Sequence, residues 1–307
     1  MSVALVVGAG GFVGRHLLDR LTRRGDDVQP VSSAPGVASW RALRLLEPDV
    51  GVIGDALAGV SCIYFVGGAA HESAVAGDEP LLHEVNASAP ARWLEAAEAA
   101  GVHRFVWLSS IKVLGDVSAR PLPVDAPYRP ADAYARSKVA GERRLLQSPR
   151  GNTAVAVVRP PLVYGSRVRG NFARLLRWAD GPVPLPLARA TAPRSLVAVE
   201  NLCDLLLCLG ERSDDGVFHV ADADDVSVSE LLAELRRLLN RPRRQVAVPA
   251  SWLRAAARAV RREALYQRLF EPLRLDTSAT RGALGWSPPR PAGEALMETV
   301  TWFRTSR

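Results

Sequence analysis

The chain has 307 residues, 48% apolar and 23% charged, enough to bury a large core and too apolar for a disordered chain. Thirty-nine lysines and arginines against 32 acidic residues give a net charge of +7, which suits anionic ligands such as nucleotide diphosphates. The arginines are scattered through helical patterns without a basic tail, aromatic platform or zinc-finger spacing, which argues against nucleic acid, and no apolar run reaches the roughly 18 residues of a membrane span.

The apolar run Val3–Val7 predicts a first strand. Gly8, Gly11 and Gly14 follow it at once, then a helical pattern over 12–24 that stops at Gly25. Strand, glycine turn and helix in that order let backbone N–H groups and a helix N-terminus hold a pyrophosphate. A tight turn with packing glycines is the plainer alternative. Further strands are predicted at 28–32, weakly at 50–53, and at 62–66, with a helix at 88–100. The strand at 104–108 ends in Ser109 and Ser110, at the sheet edge where open α/β sheets bind ligands. A hydroxyl there either donates to a substrate oxygen or caps the next segment.

A helix predicted over 132–147 carries Tyr134 and Lys138 one turn apart on one face. An ammonium beside a phenol favours the phenolate, lowers its pKa from about 10 and readies it to exchange a proton with a substrate hydroxyl. A strand at 154–158 continues the βαβα order, which predicts an α/β protein built on a Rossmann-type doubly wound parallel sheet. After residue 160 the texture changes: Pro160, Pro161, Pro182, Pro184 and Pro186 break up the chain. Helices at 201–209 and 228–240 alternate there with short apolar pieces at 194–199 and 216–220. The expected division is an NAD(P)-binding Rossmann domain over 1–165. A smaller α/β region over 166–307, mainly substrate-binding, is partly interleaved with the sheet.

The segment Trp252–Arg262 is basic and amphipathic, fit either for a solvent-facing helix or for weak contact with a membrane surface. Cys62, Cys203 and Cys208 lie in apolar runs and read as reduced core residues of a cytoplasmic protein. His16, His71, His83, His103 and His219 show no ligand spacing, so no metal site is expected. No leader pattern precedes Val3.

With the glycine turn at 8–14, Ser109-Ser110 and Tyr134-x-x-x-Lys138 in this order, the chain resembles the extended short-chain dehydrogenases/reductases, in their nucleotide-sugar epimerase/dehydratase branch. Leu108–Val113, Arg159–Gly165, Gly170–Leu176 and Arg194–Val197 resemble a subgroup acting at C4 of nucleotide-activated amino sugars. The resemblance implies that Tyr134 is the acid/base, that Lys138 lowers its pKa and holds the nicotinamide ribose, and that Ser110 orients the sugar O4. Ser109, Asn86, Asn171 and Arg194 join Ser110 as substrate-binding residues, with Asn86 also steadying the active-site strand, Asn171 near the diphosphate and Arg194 on its phosphates. Cofactor contacts fall on Gly8, Gly11, Phe12, Val13, Gly14, Ser32, Gly67, Lys138 and Pro160, with Pro161 beside Pro160 against the nicotinamide.

Three positions depart from the pattern. Val7 replaces a threonine, and Phe65-Val-Gly-Gly68 replaces a His-Leu-Ala-Ala stretch. The second strand ends in Ser32-Ser33 without the carboxylate that binds an adenine ribose 2′-hydroxyl. The cofactor is therefore NADP or NAD, with the missing carboxylate favouring NADP and Arg41 or Arg44 as its positive partner. The implied activity is NAD(P)H-dependent reduction of a UDP-4-keto-6-deoxy-HexNAc in surface-polysaccharide biosynthesis. An NAD-dependent UDP-HexNAc 4-epimerase is the alternative, and a non-catalytic NAD(P)-sensing protein is the alternative of another class. A homodimer through the Tyr–Lys helix is implied as well.

Overall fold

The computed structural model describes residues 3–32, 39–69, 78–148 and 151–306. In chain order its strands are β1 (Val3–Val7), β2 (Val28–Val31), β3 (Val60–Phe65), β4 (Arg104–Leu108), β5 (Ala154–Arg159), β6 (Leu162–Tyr164), β7 (Pro193–Arg194), β8 (Leu196–Ala198), β9 (Gly216–His219) and β10 (Val226–Ser227). The α-helices are α1 (Phe12–Arg24), α2 (Val50–Ala56), α3 (Glu79–His83), α4 (Ala89–Ala99), α5 (Ala133–Gln147), α6 (Gly170–Asp180), α7 (Val199–Gly210), α8 (Val228–Leu238), α9 (Ala250–Ala259), α10 (Glu263–Phe270), α11 (Ser278–Leu284) and α12 (Ala292–Thr305). Among the described residues no helix is long and apolar enough to cross a membrane.

The chain forms two compact units, each assembled from separate stretches. The first takes residues 1–114, 127–160 and 202–219. It holds a six-stranded parallel sheet in the order β2-β1-β3-β4-β5-β9, a Rossmann-like arrangement whose order reverses beside β1. The inner strands are buried on both faces, as their nearly continuous apolar content requires of a sheet covered by helices. Phe65 packs edge-on to Trp93 at 6.2 Å and stacks on Phe105 at 6.1 Å. Truncating any of these fully buried rings costs about 3–5 kcal/mol.

The weak strand expected at 50–53 is instead part of α2. Asp49 Oδ1 accepts the Gly51 and Val52 backbone N–H groups at 2.8 and 3.3 Å, capping a helix start that periodicity alone does not reveal. Ile53 and Ala56 then turn inward together, at helical spacing. One edge of the sheet is therefore β2, and the other is β9.

The second unit takes residues 115–126, 161–201 and 220–307. It contains a parallel pair β6–β8, an antiparallel pair β7–β10, and helices α6 and α8 to α12. Tyr164 stacks on Phe172 at 5.2 Å and its hydroxyl donates to Asp222 at 2.7 Å. The same carboxylate accepts from Asn201 at 2.7 Å and from the Ala198 N–H at 3.0 Å, so a buried charge is fully bonded. A capping box between Ser227 and Glu230 starts α8.

Candidate active site

At the glycine turn, Gly8 has φ of +90°, and a Cβ there would meet Gly67 Cα at 2.3 Å. A Cβ on Gly14 would lie 2.2 Å from the Gly8 carbonyl. Neither position accepts a side chain, so β1, α1 and the end of β3 converge on bare backbone. The turn is held by Gly8 N–H to Val31 O at 2.8 Å and by Gly67 N–H to Val7 O at 2.8 Å. Gly11 caps α1 without any side-chain bond, and no acidic residue occupies the first turn formed with Phe12 and Val13. The backbone N–H groups of that first helical turn, which have no intrahelical partner, and the positive helix end fit a pyrophosphate, so the residues present suit a dinucleotide.

Beside this cradle, α5 is started by Asp132, whose carboxylate accepts the Ala135 N–H at 2.8 Å and pairs with Lys112. Its helical spacing stacks Tyr134, Lys138 and Glu142 on one face. Lys138 is buried; its Nζ donates to the Leu108 carbonyl at 2.9 Å and lies 4.6 Å from the centre of the Trp107 ring. A Cβ on Gly68 would stand 3.2 Å from that ammonium, so the glycine pair in place of a bulkier stretch makes room for it. The Ser110 hydroxyl shares a hydrogen bond with the Tyr134 phenol.

The charge balance differs from the expectation of an acidified phenol. Burial pushes Tyr134 up to about 12, with Asp132 acting the same way and Ser110 opposing. Burial also brings Lys138 down to about 7, against the pull of Glu142. Loss of solvation is thus the largest cause at both groups, favouring the neutral phenol and the neutral amine.

Two residues expected at the substrate sit behind the site. Asn86, in a π-helical turn over Glu84–Ser88, is fully buried. Its amide donates to Ala69 O and Ser137 Oγ, both at 3.0 Å, and accepts the Ala69 N–H at 3.2 Å. It braces the Gly68–Ala69 turn against α5. Ser109 is buried as well and donates to Glu142 at 2.5 Å. In both cases every polar bond that the surroundings offer is internal, which is why the side chain turns inward.

Glu142 itself has no separate signal in the sequence, although it continues the Tyr134–Lys138 stripe by one more turn. It is fully buried and takes a two-point ion pair from Arg159, at 2.9 and 2.5 Å, with Tyr128 donating at 2.9 Å. The Pro160 carbonyl accepts the Ile111 N–H at 2.9 Å, which ties the end of β5 to the segment after Ser110. Ser32 follows β2 with its N–H on Ser39 Oγ at 3.3 Å; Ser33 and His71 lie outside the described residues. Arg41 is engaged with the Trp40 ring and the Ala56 carbonyl, while Arg44 is exposed. Asn171 on α6 and Arg194 on β7 belong to the second unit. Arg194 donates to the Glu271 carbonyl, and burial brings its pKa down to about 10. Among the described residues no group of His, Cys, Asp and Glu is placed to hold a metal.

A parallel sheet with a side-chain-free glycine turn and a neighbouring Tyr–Lys helix defines an extended short-chain dehydrogenase/reductase. The chain belongs to the NAD dependent epimerase/dehydratase family, whose model matches residues 4–221, and it is an NAD-dependent enzyme. Of the two cofactors left open by Ser32-Ser33, NAD is the one the family uses. A UDP-glucose 4-epimerase of Vibrio cholerae is 31% identical over 97% of this chain and 94% of its own length. An Escherichia coli O157:H7 N-acetyl-alpha-D-glucosaminyl-diphospho-ditrans,octacis-undecaprenol 4-epimerase is 26% identical over 77% of this chain and 72% of its own. Among solved structures, MoeE5 in complex with UDP-glucose and NAD matches with a TM-score of 0.79 and 25% identity, over 99% of both chains.

Proposed function

We propose that this enzyme interconverts the C4 epimers of a UDP-linked hexose or HexNAc, with Tyr134 as the group that moves the O4 proton. The carrying observation is Tyr134 hydrogen-bonded to Ser110 and one turn from the buried Lys138, beside a backbone cradle no side chain can enter. Bound NAD supplies reversible hydride exchange at C4. In its phenolate form, Tyr134 accepts the O4 proton as C4 is oxidised and returns it when C4 is reduced from the other face. Ser110 orients O4, and Lys138 stabilises the negative charge on the phenol oxygen. Asn171 and Arg194 take the diphosphate, for which a guanidinium is a matched donor. The relatives' activities on UDP-glucose and on a glucosaminyl diphosphate support C4 as the position of chemistry. The same reading places the enzyme in the cytoplasm as a homodimer, within surface-polysaccharide synthesis.

A second reading is reduction of a UDP-4-keto-6-deoxy-HexNAc with NAD(P)H consumed. Two observations favour it: β2 runs into Ser32 rather than an acid, and the phenol rests protonated, the form that gives a proton to a forming alkoxide. Purified enzyme incubated with UDP-glucose or UDP-GlcNAc and no added reductant separates the readings. Epimer mixtures with no net change in NADH absorbance are expected. Absence of epimerisation together with stoichiometric NAD(P)H oxidation on a 4-keto sugar nucleotide replaces the first reading by the second.

A further inference from the structure

The net charge of the chain has an address. Residues 241–262 hold seven arginines and no acidic residue; removing those seven from 39 basic residues leaves 32, equal to the acidic count. The full +7 excess therefore lies in this stretch, contrary to the scattered distribution expected. It runs through the second unit into α9, which buries none of its ten residues. Arg241 and Arg258 pair with carboxylates outside the stretch, at 2.9 and 2.8 Å. Arg243, Arg261 and Arg262 are exposed and have no ion pair among the described residues.

The same stretch exposes apolar surface. Trp252 is 71%, Val260 66% and Val246 49% accessible, three of the nine strongly exposed large apolar side chains among the described residues. Trp252, Ala256 and Ala259 share one face of α9 by helical spacing, with exposed Val260 at its C-cap, whereas Leu253 and Ala257, on the neighbouring face, are partly covered. Water solvates the arginines well but gains nothing from the tryptophan and valines. A nucleic-acid phosphate chain would match the charge alone: the stretch has only one aromatic ring to stack on a base.

We infer that residues 241–262 form a docking surface for an anionic lipid bilayer, with Trp252 and Val260 entering the headgroup region and Arg243, Arg261 and Arg262 meeting lipid phosphates. Both halves of the surface then find their complement, the arrangement of interfacial amphipathic helices. The inference is independent of the sugar that the enzyme acts on.

Co-sedimentation of the full chain with phosphatidylcholine vesicles, with and without phosphatidylglycerol, tests it. Binding at least about tenfold tighter to the anionic vesicles is expected, weakening with salt. The triple variant R243Q/R261Q/R262Q and, separately, Trp252→Ser should each lose about tenfold in vesicle affinity with an unchanged melting temperature. Protein that stays in the supernatant with anionic vesicles overturns the inference. So does vesicle affinity untouched by Trp252→Ser, or binding of these arginines to a DNA oligonucleotide with no binding to vesicles.

Discussion

At the scale of single residues, Lys138 carries a consequence for stability. Its folded pKa is held near 7 by burial, against 10.5 for an ordinary lysine. Between those values the unfolded chain binds more protons than the folded one, so stability rises as pH increases across the window. The slope approaches about 1.4 kcal/mol per pH unit at its steepest. Tyr134 works in the opposite sense at higher pH: its phenol is held up at about 12, so its contribution is lost above about pH 10. Urea unfolding near pH 7 and near pH 9.5 should show the rise in the native protein and not in Lys138→Met. An equal rise in both would contradict the assignment. The spacing of Tyr134 and Lys138 was visible in the sequence because it is local. The direction of their pKa shifts was not, because burial is set by Trp107, Leu108 and the Gly68 turn, all distant along the chain.

At the scale of elements, the Glu142–Arg159 pair joins α5 to the end of β5 and, through Ser109, to the end of β4. Replacing Glu142 by Gln leaves a buried guanidinium without its counter-charge, at about 3–5 kcal/mol. Removing both charges as Glu142→Leu with Arg159→Met should recover part of that loss, the rest being the Ser109 and Tyr128 hydroxyls left without their acceptor. Chemical denaturation of the single and double variants checks this; a single variant losing under about 1 kcal/mol would show that the pair is not coupled to the fold. This network could not be read from motifs, since its members come from α5, β5 and the Tyr128 segment. The glycine turn could be read, because three glycines between a β-branched run and a helix leave few other uses. The strand expected at 50–53 failed for a local reason: the Asp49 cap decides the helix, and a short apolar run does not separate strand from helix.

At the scale of the molecule, the first unit alone brings together the glycine cradle, Ser110, Tyr134 and Lys138, while Asn171 and Arg194 are carried by the second. Sequence patterning located the parallel sheet and its cofactor turn. It was poorer beyond residue 160, where short strands paired by β6–β8 and β7–β10 leave too little periodicity to place. The central claim is that one phenol, hydrogen-bonded to Ser110 and one helical turn from Lys138, moves the substrate's proton. Tyr134→Phe removes a single oxygen and keeps the ring that fills the site. Turnover of UDP-glucose or UDP-GlcNAc should fall by about 10²–10⁴-fold while NAD stays bound and the melting temperature is kept. Full turnover by that variant would contradict the account.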